Sequence, residues 1–272
     1  MSTLTPQANA VAVVLVGVTA FGLSLLVRHL IRRRREFDVS PWSATLSYVA
    51  TAYGIVVGFW ILFLFGLFAD ARQAVGDEAT SIGTAFEEVA LFTEGGPDVQ
   101  RALICYAAAV SDYEWPALQR GMSATEVDLA YREIITALGE IDEPFPSTLA
   151  PAAANNMIVQ VGSMSTARET RLVAAQTVTP ALMWALLLGG GLLVTVLIFI
   201  VTLKSAPVTQ AVQVSLTAVF TAVMIALVAG LTNPFVPGAG RVTPSLIDQT
   251  RATMEEAGPS LQGCAFDLAD PS

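Results

Sequence analysis

The chain has 272 residues, of which 54% are hydrophobic and only 14% charged, and its formal net charge is −9. Soluble domains carry roughly 25% charged residues, so the composition excludes an ordinary soluble domain and is typical of a membrane protein. Residues 70–178 hold sixteen acidic side chains against six arginines. Because nucleic-acid binding requires a basic surface, this acidic region is not expected to bind nucleic acid.

The first apolar run, residues 8–27, predicts a membrane span. It is followed at once by Arg28, His29 and the arginines of 32–35, whereas a signal peptide carries its positive charges before the apolar run. Short loops rich in Lys and Arg stay in the cytoplasm. We therefore predict that the N-terminus lies outside the cell and that the loop 28–38 is cytoplasmic.

A single long helix is predicted from Thr45 to about Phe92. No charged residue lies between Asp38 and Asp70, which leaves ample room for the roughly 20 apolar residues that a bilayer requires. Beyond Asp70 apolar residues recur at heptad spacing, so the span is expected to continue as an amphipathic stalk. The repeating positions are Phe68, Val75, Ala79, Ile82, Phe86 and Val89.

The rest of residues 70–178 has helical periodicity and no alternating strand pattern, so an antiparallel helical bundle is predicted. Its first and last helices should run into spans two and three. Trp115-Pro116 is expected to end the second bundle helix, because proline lacks a donor and blocks continuation. The stretch from Ser123 to Glu126 fits a capping box at the start of the third.

Two more apolar runs predict a third span at Ala181–Leu203 and a fourth at Val208–Leu231, joined at a cytoplasmic Lys204. The predicted fold class is all-α: four transmembrane helices with a helical bundle inserted between spans two and three. The expected boundaries are 1–69 for the first two spans, 70–178 for an extracytoplasmic bundle, 179–231 for spans three and four, and 232–272 for an extracytoplasmic C-terminal segment.

Enzyme chemistry finds no support among the residues. His29 is the only histidine, so a His/Cys metal cluster cannot be assembled, and no nucleophile motif or phosphate-binding glycine loop is found. Neighbouring acids such as Asp112 and Glu114 are interpreted as solvated helix faces. The sequence therefore predicts no catalytic residue, no metal site and no cofactor.

The second span contains candidates for a pore or for helix packing. Gly54 and Gly58 form a G-x-x-x-G motif, at which another helix can approach closely. The motif fits ordinary packing within the chain, a contact between subunits, or a bend in a pore. Phe59, Phe65 and Phe68 fit either a lipid-facing surface or a gate.

A polar stripe is predicted on one face of the fourth span. Its members are Gln210, Gln213, Thr217 and Thr221. Polar side chains in hydrocarbon need a partner, so the stripe is either a seam of interhelical hydrogen bonds or the lining of a pore.

The two cysteines, Cys105 and Cys264, are both predicted outside, where a disulfide persists. They fit either that disulfide or two unpaired thiols.

Short motifs along residues 8–250 resemble the bestrophin-like family of bacterial membrane proteins, a domain of unknown function. They are Tyr53-Gly54, Gly58-Phe59, Asp70-Ala71-Arg72, Glu114-Trp115-Pro116, Arg168 to Leu172, Pro180 with Trp184, and Asn233-Pro234-Phe235 followed by Gly238, Gly240, Val242 and Pro244. The family is named for its similarity to bestrophins, which are pentameric anion channels with four spans and a helical domain between the second and third. The resemblance therefore implies a homo-oligomeric pore in the lipid bilayer.

The resemblance and the basic loop disagree on topology. Bestrophins hold the helical domain in the cytosol, whereas the arginines of loop 28–38 place it outside. We predict that the helical domain lies outside, because the opposite orientation would translocate five arginines in one short loop.

The motif residues also suggest a polar latch between the bundle and the membrane. Arg168 and Arg171 are expected near the outer membrane surface, where they either pair with Glu114, Asp112 or the carbonyls of the 233–240 loop, or snorkel. The full set is Glu114, Trp115, Arg168, Arg171, Asn233 and Phe235. Replacing Arg171 with alanine is expected to lower the folded yield.

Two functions stay open at this point. The first is an oligomeric channel-like pore for small ions, with anions implied by the resemblance. The second is a membrane-anchored sensing or interaction module whose acidic bundle binds an envelope protein. Ion flux through the purified protein in liposomes discriminates the two.

Overall fold

A computed structural model describes residues 6–31, 40–92, 95–141, 150–237, 241–259, 263–264 and 266. Every regular element in these ranges is helical, so the all-α prediction is confirmed. The α-helices are α1 (Pro6–Ile31), α2 (Ser40–Val89), α3 (Gly96–Ala109), α4 (Trp115–Leu118), α5 (Thr125–Gly139), α6 (Ala150–Gln176), α7 (Ala181–Val201), α8 (Pro207–Leu231) and α9 (Ser245–Ala257). A π-helical turn, Val110–Glu114, links α3 to α4, and a 3₁₀ turn, Thr202–Lys204, follows α7.

The chain divides into two compact units. The first comprises 1–66, 178–232 and 237–239, and the second comprises 67–177, 233–236 and 240–272. Helices α1, α2, α7 and α8 are each long and apolar enough to cross a membrane. The four predicted spans are thus present, and the inserted bundle belongs to the second unit.

Within the first unit, α8 packs against both α1 and α7. The Tyr53 hydroxyl of α2 donates a hydrogen bond to the Leu187 carbonyl of α7, 3.1 Å away. Two glycines of α7 allow close contact. A Cβ at Gly190 would lie 2.5 Å from the Tyr53 ring, and a Cβ at Gly191 would lie 2.3 Å from the Thr221 methyl group.

Replacing Gly191 with alanine is expected to destabilise the packing of α7 on α8. The new methyl group would meet Thr221, whose β-branched side chain has little freedom to move. Overpacking of this kind costs about 1–3 kcal/mol, which exceeds the gain of up to roughly 1 kcal/mol in helix propensity. Thermal unfolding in detergent measures the loss.

The neighbouring Gly189 provides a matched control, because a Cβ there would meet no heavy atom within 4 Å. Gly189→Ala should leave the melting temperature unchanged or slightly raised. Equal melting temperatures for the two variants would contradict the close contact at Gly191.

The predicted long helix is confirmed as α2, which continues without a break from the apolar run into the second unit. There it buries one face at near-heptad spacing. The buried positions include Ala71, Val75, Glu78, Ala79, Ile82, Phe86 and Val89. α3 packs against α5 and α9, and a single apolar core joins these helices to α2 and α6.

Two local predictions in the bundle were wrong. Pro116 does not end the helix, because the π-turn widens the backbone before it and the proline then lies in the first turn of α4, where its missing N–H costs little. Ser123 does not cap α5. The N-cap residue is Ala124, and no side chain caps that end of the helix.

Candidate functional site

A cluster of buried charges lies in the second unit and joins α2, α6 and the π-turn. Arg171 of α6 is fully buried, as are Glu78 of α2 and Glu114 of the π-turn, so the interpretation of Glu114 as a solvated acid was wrong. The Nη2 atom of Arg171 lies 2.8 Å from Oε1 and 2.6 Å from Oε2 of Glu78, and 3.0 Å from Oε2 of Glu114. The Oε1 contact has hydrogen-bond geometry, whereas the two Oε2 contacts are ion pairs by distance alone. One guanidinium therefore contacts two buried carboxylates, and Arg168, which also pairs with Glu114, supplies the second positive charge.

Arg168, one turn earlier on α6, extends the cluster toward solvent. Its Nε donates to Oε1 of Glu114 at 2.6 Å, and its Nη1 donates to Oδ1 of Asp128 at 2.5 Å. Its Nη2 donates to the Ala124 carbonyl at 3.3 Å. Arg168 thus connects α6 to the π-turn and to the start of α5.

Tyr106 of α3 completes the buried part of the cluster. Its hydroxyl donates a hydrogen bond to Oε1 of Glu78 at 2.6 Å. Burial, together with the charge of Glu78, raises the pKa of Tyr106 well above its ordinary value, so the phenol stays protonated and remains a donor. Burial lowers the pKa of Arg171, but Glu78 and Glu114 more than offset this, and Arg171 stays charged.

An aromatic pair covers the buried arginine. The guanidinium carbon of Arg171 lies 5.1 Å from the Trp115 ring centre, a cation–π contact. Phe235 meets the same indole edge-to-face, with ring centroids 5.5 Å apart. Trp115 Nε1 donates to the Val242 carbonyl at 3.4 Å. The indole therefore links the charged cluster to the segment that follows α8.

Asn233 fixes the other end of that segment. Its side-chain amide donates to the Leu118 carbonyl at 3.0 Å, next to the end of α4. Its Oδ1 accepts a bond from the Phe235 N–H at 3.0 Å, which folds the backbone into a turn. The position of Phe235 against Trp115 is thus set by backbone as well as side-chain contacts.

All six residues of the predicted latch are brought together, and every one of these contacts lies within the second unit. The proposed pairing of both arginines with Glu114 is present. Asp112 was the wrong alternative, because it pairs with Arg251 of α9 at 3.1 Å. A role for this cluster in holding the bundle to the membrane stays a prediction.

Sequence reasoning missed Glu78, Tyr106 and Asp128. A signal for Glu78 was available, since it occurs three residues after Val75 and four before Ile82, on the apolar stripe of α2. A polar group on a packing face needs a buried partner, and Glu78 finds two, Arg171 and Tyr106. The buried hydrogen bond of the Tyr106 hydroxyl has no sequence signature.

The polar stripe of α8 divides between two roles. Gln210 is fully buried. Its Oε1 accepts a bond from Arg28 at 2.6 Å, and its Nε2 donates to the Phe199 carbonyl at 2.8 Å. Arg28, which lies within α1, also donates to the Ser205 carbonyl at 2.7 Å. Gln210 is thus part of an interhelical hydrogen-bond network.

The remaining stripe residues behave differently. Gln213 is exposed, and Thr217 donates within its own helix to the Gln213 carbonyl at 3.0 Å. Thr221 is half-buried beside Gly191. Only Gln210 therefore has the interhelical partners that the seam required, and a pore-lining role for the others stays a prediction.

The predicted packing residues of α2 are mostly open. A Cβ at Gly54 or Gly58 would meet no heavy atom within 4 Å in the described part of the chain. Phe59 is 69% exposed and Phe65 is 59% exposed. Phe68 is half-buried and packs against the core of the second unit. The glycine motif therefore does not pack against another described helix of its own chain.

Cys105 and Cys264 form a disulfide with a Cα–Cα distance of 5.6 Å. Cys105 belongs to α3, and both cysteines are buried. The bond attaches the segment after α9 to the bundle core, so the disulfide alternative is the one that the structure contains. Within the described ranges, no three His, Cys, Asp or Glu side chains are grouped so that they could hold a metal ion.

Four membrane-spanning helices, an inserted helical bundle and a buried charge cluster define a multi-pass helical membrane protein. A family model described as the Bestrophin-like domain matches residues 11–246. The chain belongs to the bestrophin-like family. No curated protein matches the chain.

The fold is shared with solved structures of low sequence identity. Two crystal structures of variants of a bacterial bestrophin homologue from Klebsiella pneumoniae each match with a TM-score of 0.71 and 12% identity. They cover 90% and 91% of this chain and 98% of the homologue. A third structure, described as a membrane protein, matches with a TM-score of 0.68 and 13% identity, over 90% of this chain and 97% of that one.

Proposed function

We propose that the chain is the subunit of a homo-oligomeric, channel-like pore for small ions. The observation that carries the proposal is the open face of α2. Gly54 and Gly58 leave room for a helix, yet no described helix of the same chain fills it. Ile55, Phe59 and Leu62 beside them are exposed by 54%, 69% and 67%. A neighbouring subunit would cover this apolar face.

Membership of the bestrophin-like family supports the same function, because bestrophins are oligomeric anion channels. Anions are accordingly the first ions to test. The acidic bundle would by itself favour cations, because rings of Asp and Glu select cations, so potassium is tested beside chloride. If the purified protein does not conduct ions, the alternative function, a membrane-anchored sensing or interaction module, is favoured.

Flux of chloride and potassium through the purified protein in liposomes tests the proposal. Wild-type protein should conduct, and Gly58→Leu should abolish flux because the added side chain blocks close approach at the open face of α2. Gly22→Leu in α1 is the matched control, because Gly22 is equally open. An impermeable monomeric wild type, or equal flux through both variants, would contradict the pore.

We further propose that the bundle lies outside the cytoplasm. Two features support this orientation: the arginine-rich loop 28–38, and the disulfide between Cys105 and Cys264, a bond that persists in oxidising compartments. A membrane-impermeant thiol reagent on intact cells should label Arg132→Cys on the exposed side of α5. It should label Glu36→Cys only after permeabilisation. The reverse pattern would invert the topology.

A further inference from the structure

Three unpaired charges lie on the exposed face of α2 in the second unit. Asp70, Arg72 and Asp77 are all exposed, and none has an ion-pair partner among the described residues. The other arginines of the second unit that carry buried or half-buried guanidinium groups, such as Arg101, Arg168, Arg171 and Arg251, all have carboxylate partners. Exposed arginines elsewhere in the second unit, Arg120 and Arg132 among them, also lack ion-pair partners in the described residues, but Asp70, Arg72 and Asp77 lie together on one stretch of α2.

The acidic and basic residues occupy opposite flanks of this exposed face. Successive helix residues are rotated by roughly 100°, so Arg72 lies about 140° from Asp77 and about 160° from Asp70, measured across the exposed arc. Gln73 and Thr80, both exposed, lie between the flanks. Along the helix axis Arg72 is only about 3 Å from the level of Asp70 and about 7.5 Å from that of Asp77. Arg72 is thus nearly level with Asp70 and lies about 1.4 turns from Asp77 along the axis.

The acidic flank is concave. Helices α2 and α6 form a groove of about 580 Å³. Its lining residues are Asp70, Gln73, Ala74, Asp77, Thr80, Ser81, Ser163, Thr166, Ala167 and Thr170, none of them basic. Ser81 is only 6% exposed, and its hydroxyl has no hydrogen-bond partner in the described part of the chain. The groove therefore offers two free carboxylates and a free hydroxyl to a positively charged side chain.

The basic flank is bounded by α9. Leu246, at the start of α9, would lie 3.8 Å from a Cβ at Gly76, one turn after Arg72. Leu246 is 48% exposed. This flank therefore presents a guanidinium beside an exposed apolar side chain, and the groove presents carboxylates beside the buried methyl groups of Ala74 and Ala167.

We propose that the groove of one subunit receives Arg72 of the next. The α2 helices then stand side by side in a closed ring, with the basic flank of each against the acidic groove of its neighbour. The proposal rests on the homo-oligomer of the proposed function. A two-fold contact through either flank would place Arg72 against Arg72 or Asp77 against Asp77, which like-charge repulsion disfavours. A heterologous contact matches opposite charges in every interface, and such contacts generate rings when the rotation closes. A second copy of the chain is therefore the occupant that fits the charges.

Cysteine cross-linking tests the contact directly. The double variant Arg72→Cys with Asp77→Cys, oxidised in native membranes, should give a covalent ladder on non-reducing gels up to the full ring. Each single variant is a matched control and should stay uncross-linked, whereas co-expression of the two single variants should give dimers. Arg72→Cys forming dimers alone would show a two-fold contact and overturn the proposal, as would the absence of a ladder from an oligomeric protein.

A charge exchange gives a second readout that does not depend on cysteine chemistry. Arg72→Asp should lower the oligomer fraction measured by native mass spectrometry at least tenfold, and Arg72→Asp combined with Asp77→Arg should restore it. All three residues are exposed, so folding of the subunit should not change. An unchanged oligomer in Arg72→Asp would overturn the contact. Flux is measured separately: a ladder without flux refutes the pore alone, and flux without a ladder refutes the contact alone.

Discussion

Replacing Arg171 with alanine is expected to lower the free energy of unfolding of the second unit by about 3–5 kcal/mol, the usual cost of breaking a buried ion pair. The variant leaves Glu78 fully buried without its cation, although Glu114 keeps Arg168. It also removes the guanidinium that packs over Trp115. At about 2–4 °C per kcal/mol, thermal unfolding in detergent should show a fall of at least roughly 6 °C, with a lower folded yield.

The matched control is Arg132→Ala, because Arg132 is exposed on α5 and has no ion pair in the described residues. It should unfold within about 0.5 kcal/mol of the wild type. A second variant separates lost charge compensation from lost packing. Arg171→Met with Glu78→Gln removes the uncompensated charge, so it should be more stable than Arg171→Ala. Wild-type stability in Arg171→Ala would mean that the cluster contributes nothing to folding.

The helices could be predicted because hydrophobic periodicity is a local signal. An uncharged run of bilayer length followed by heptad spacing specified α2, and the same reasoning gave α1, α7 and α8. The ends of elements were less well specified. Pro116 was placed at a helix end because a π-turn has no sequence signature, and α9 was missed because its apolar residues, Ile247 and Met254, are few.

The buried cluster was only half predictable. Glu114, Arg168 and Arg171 were grouped because they occur in motifs shared with a family, which says nothing about which atoms pair. Glu78 carried a physical signal, its place on an apolar stripe, but its partner lies 93 residues away. Periodicity within one helix cannot identify a partner on another, so such pairs emerge only from the packed bundle.

The stripe of α8 shows the same limit. Gln210, Gln213 and Thr217 are equivalent by spacing, yet only Gln210 is buried and bonded to another helix. The difference comes from Arg28, which the sequence assigned to a basic loop beyond the first span. In the structure α1 continues to Ile31, so the arginine reaches Gln210 from within a helix. The role of a polar residue therefore depends on which groups the neighbouring helices place beside it, as well as on the helix face that it occupies.

Removing the disulfide, by Cys105→Ala with Cys264→Ala, is expected to destabilise the second unit by about 2–5 kcal/mol. The bond joins residues 159 positions apart, and closing so long a loop restricts the unfolded chain strongly. The effect should appear as a lower melting temperature and as faster proteolytic release of the C-terminal segment. Ion pairing of Arg251 with Asp112 and burial of Met254 should still hold α9 in place at low temperature.

Two proteins, the wild type and the double variant, are each unfolded with and without reductant, and this comparison isolates the contribution of the disulfide. Reductant should lower the melting temperature of the wild type to that of the variant and leave the variant unchanged. The same bond reports on topology, because a disulfide persists on the oxidising side of the membrane. If alkylation of freshly lysed cells without reductant modified both Cys105 and Cys264, the bridge would be absent in vivo, and the outward orientation of the bundle would lose one of its two supports.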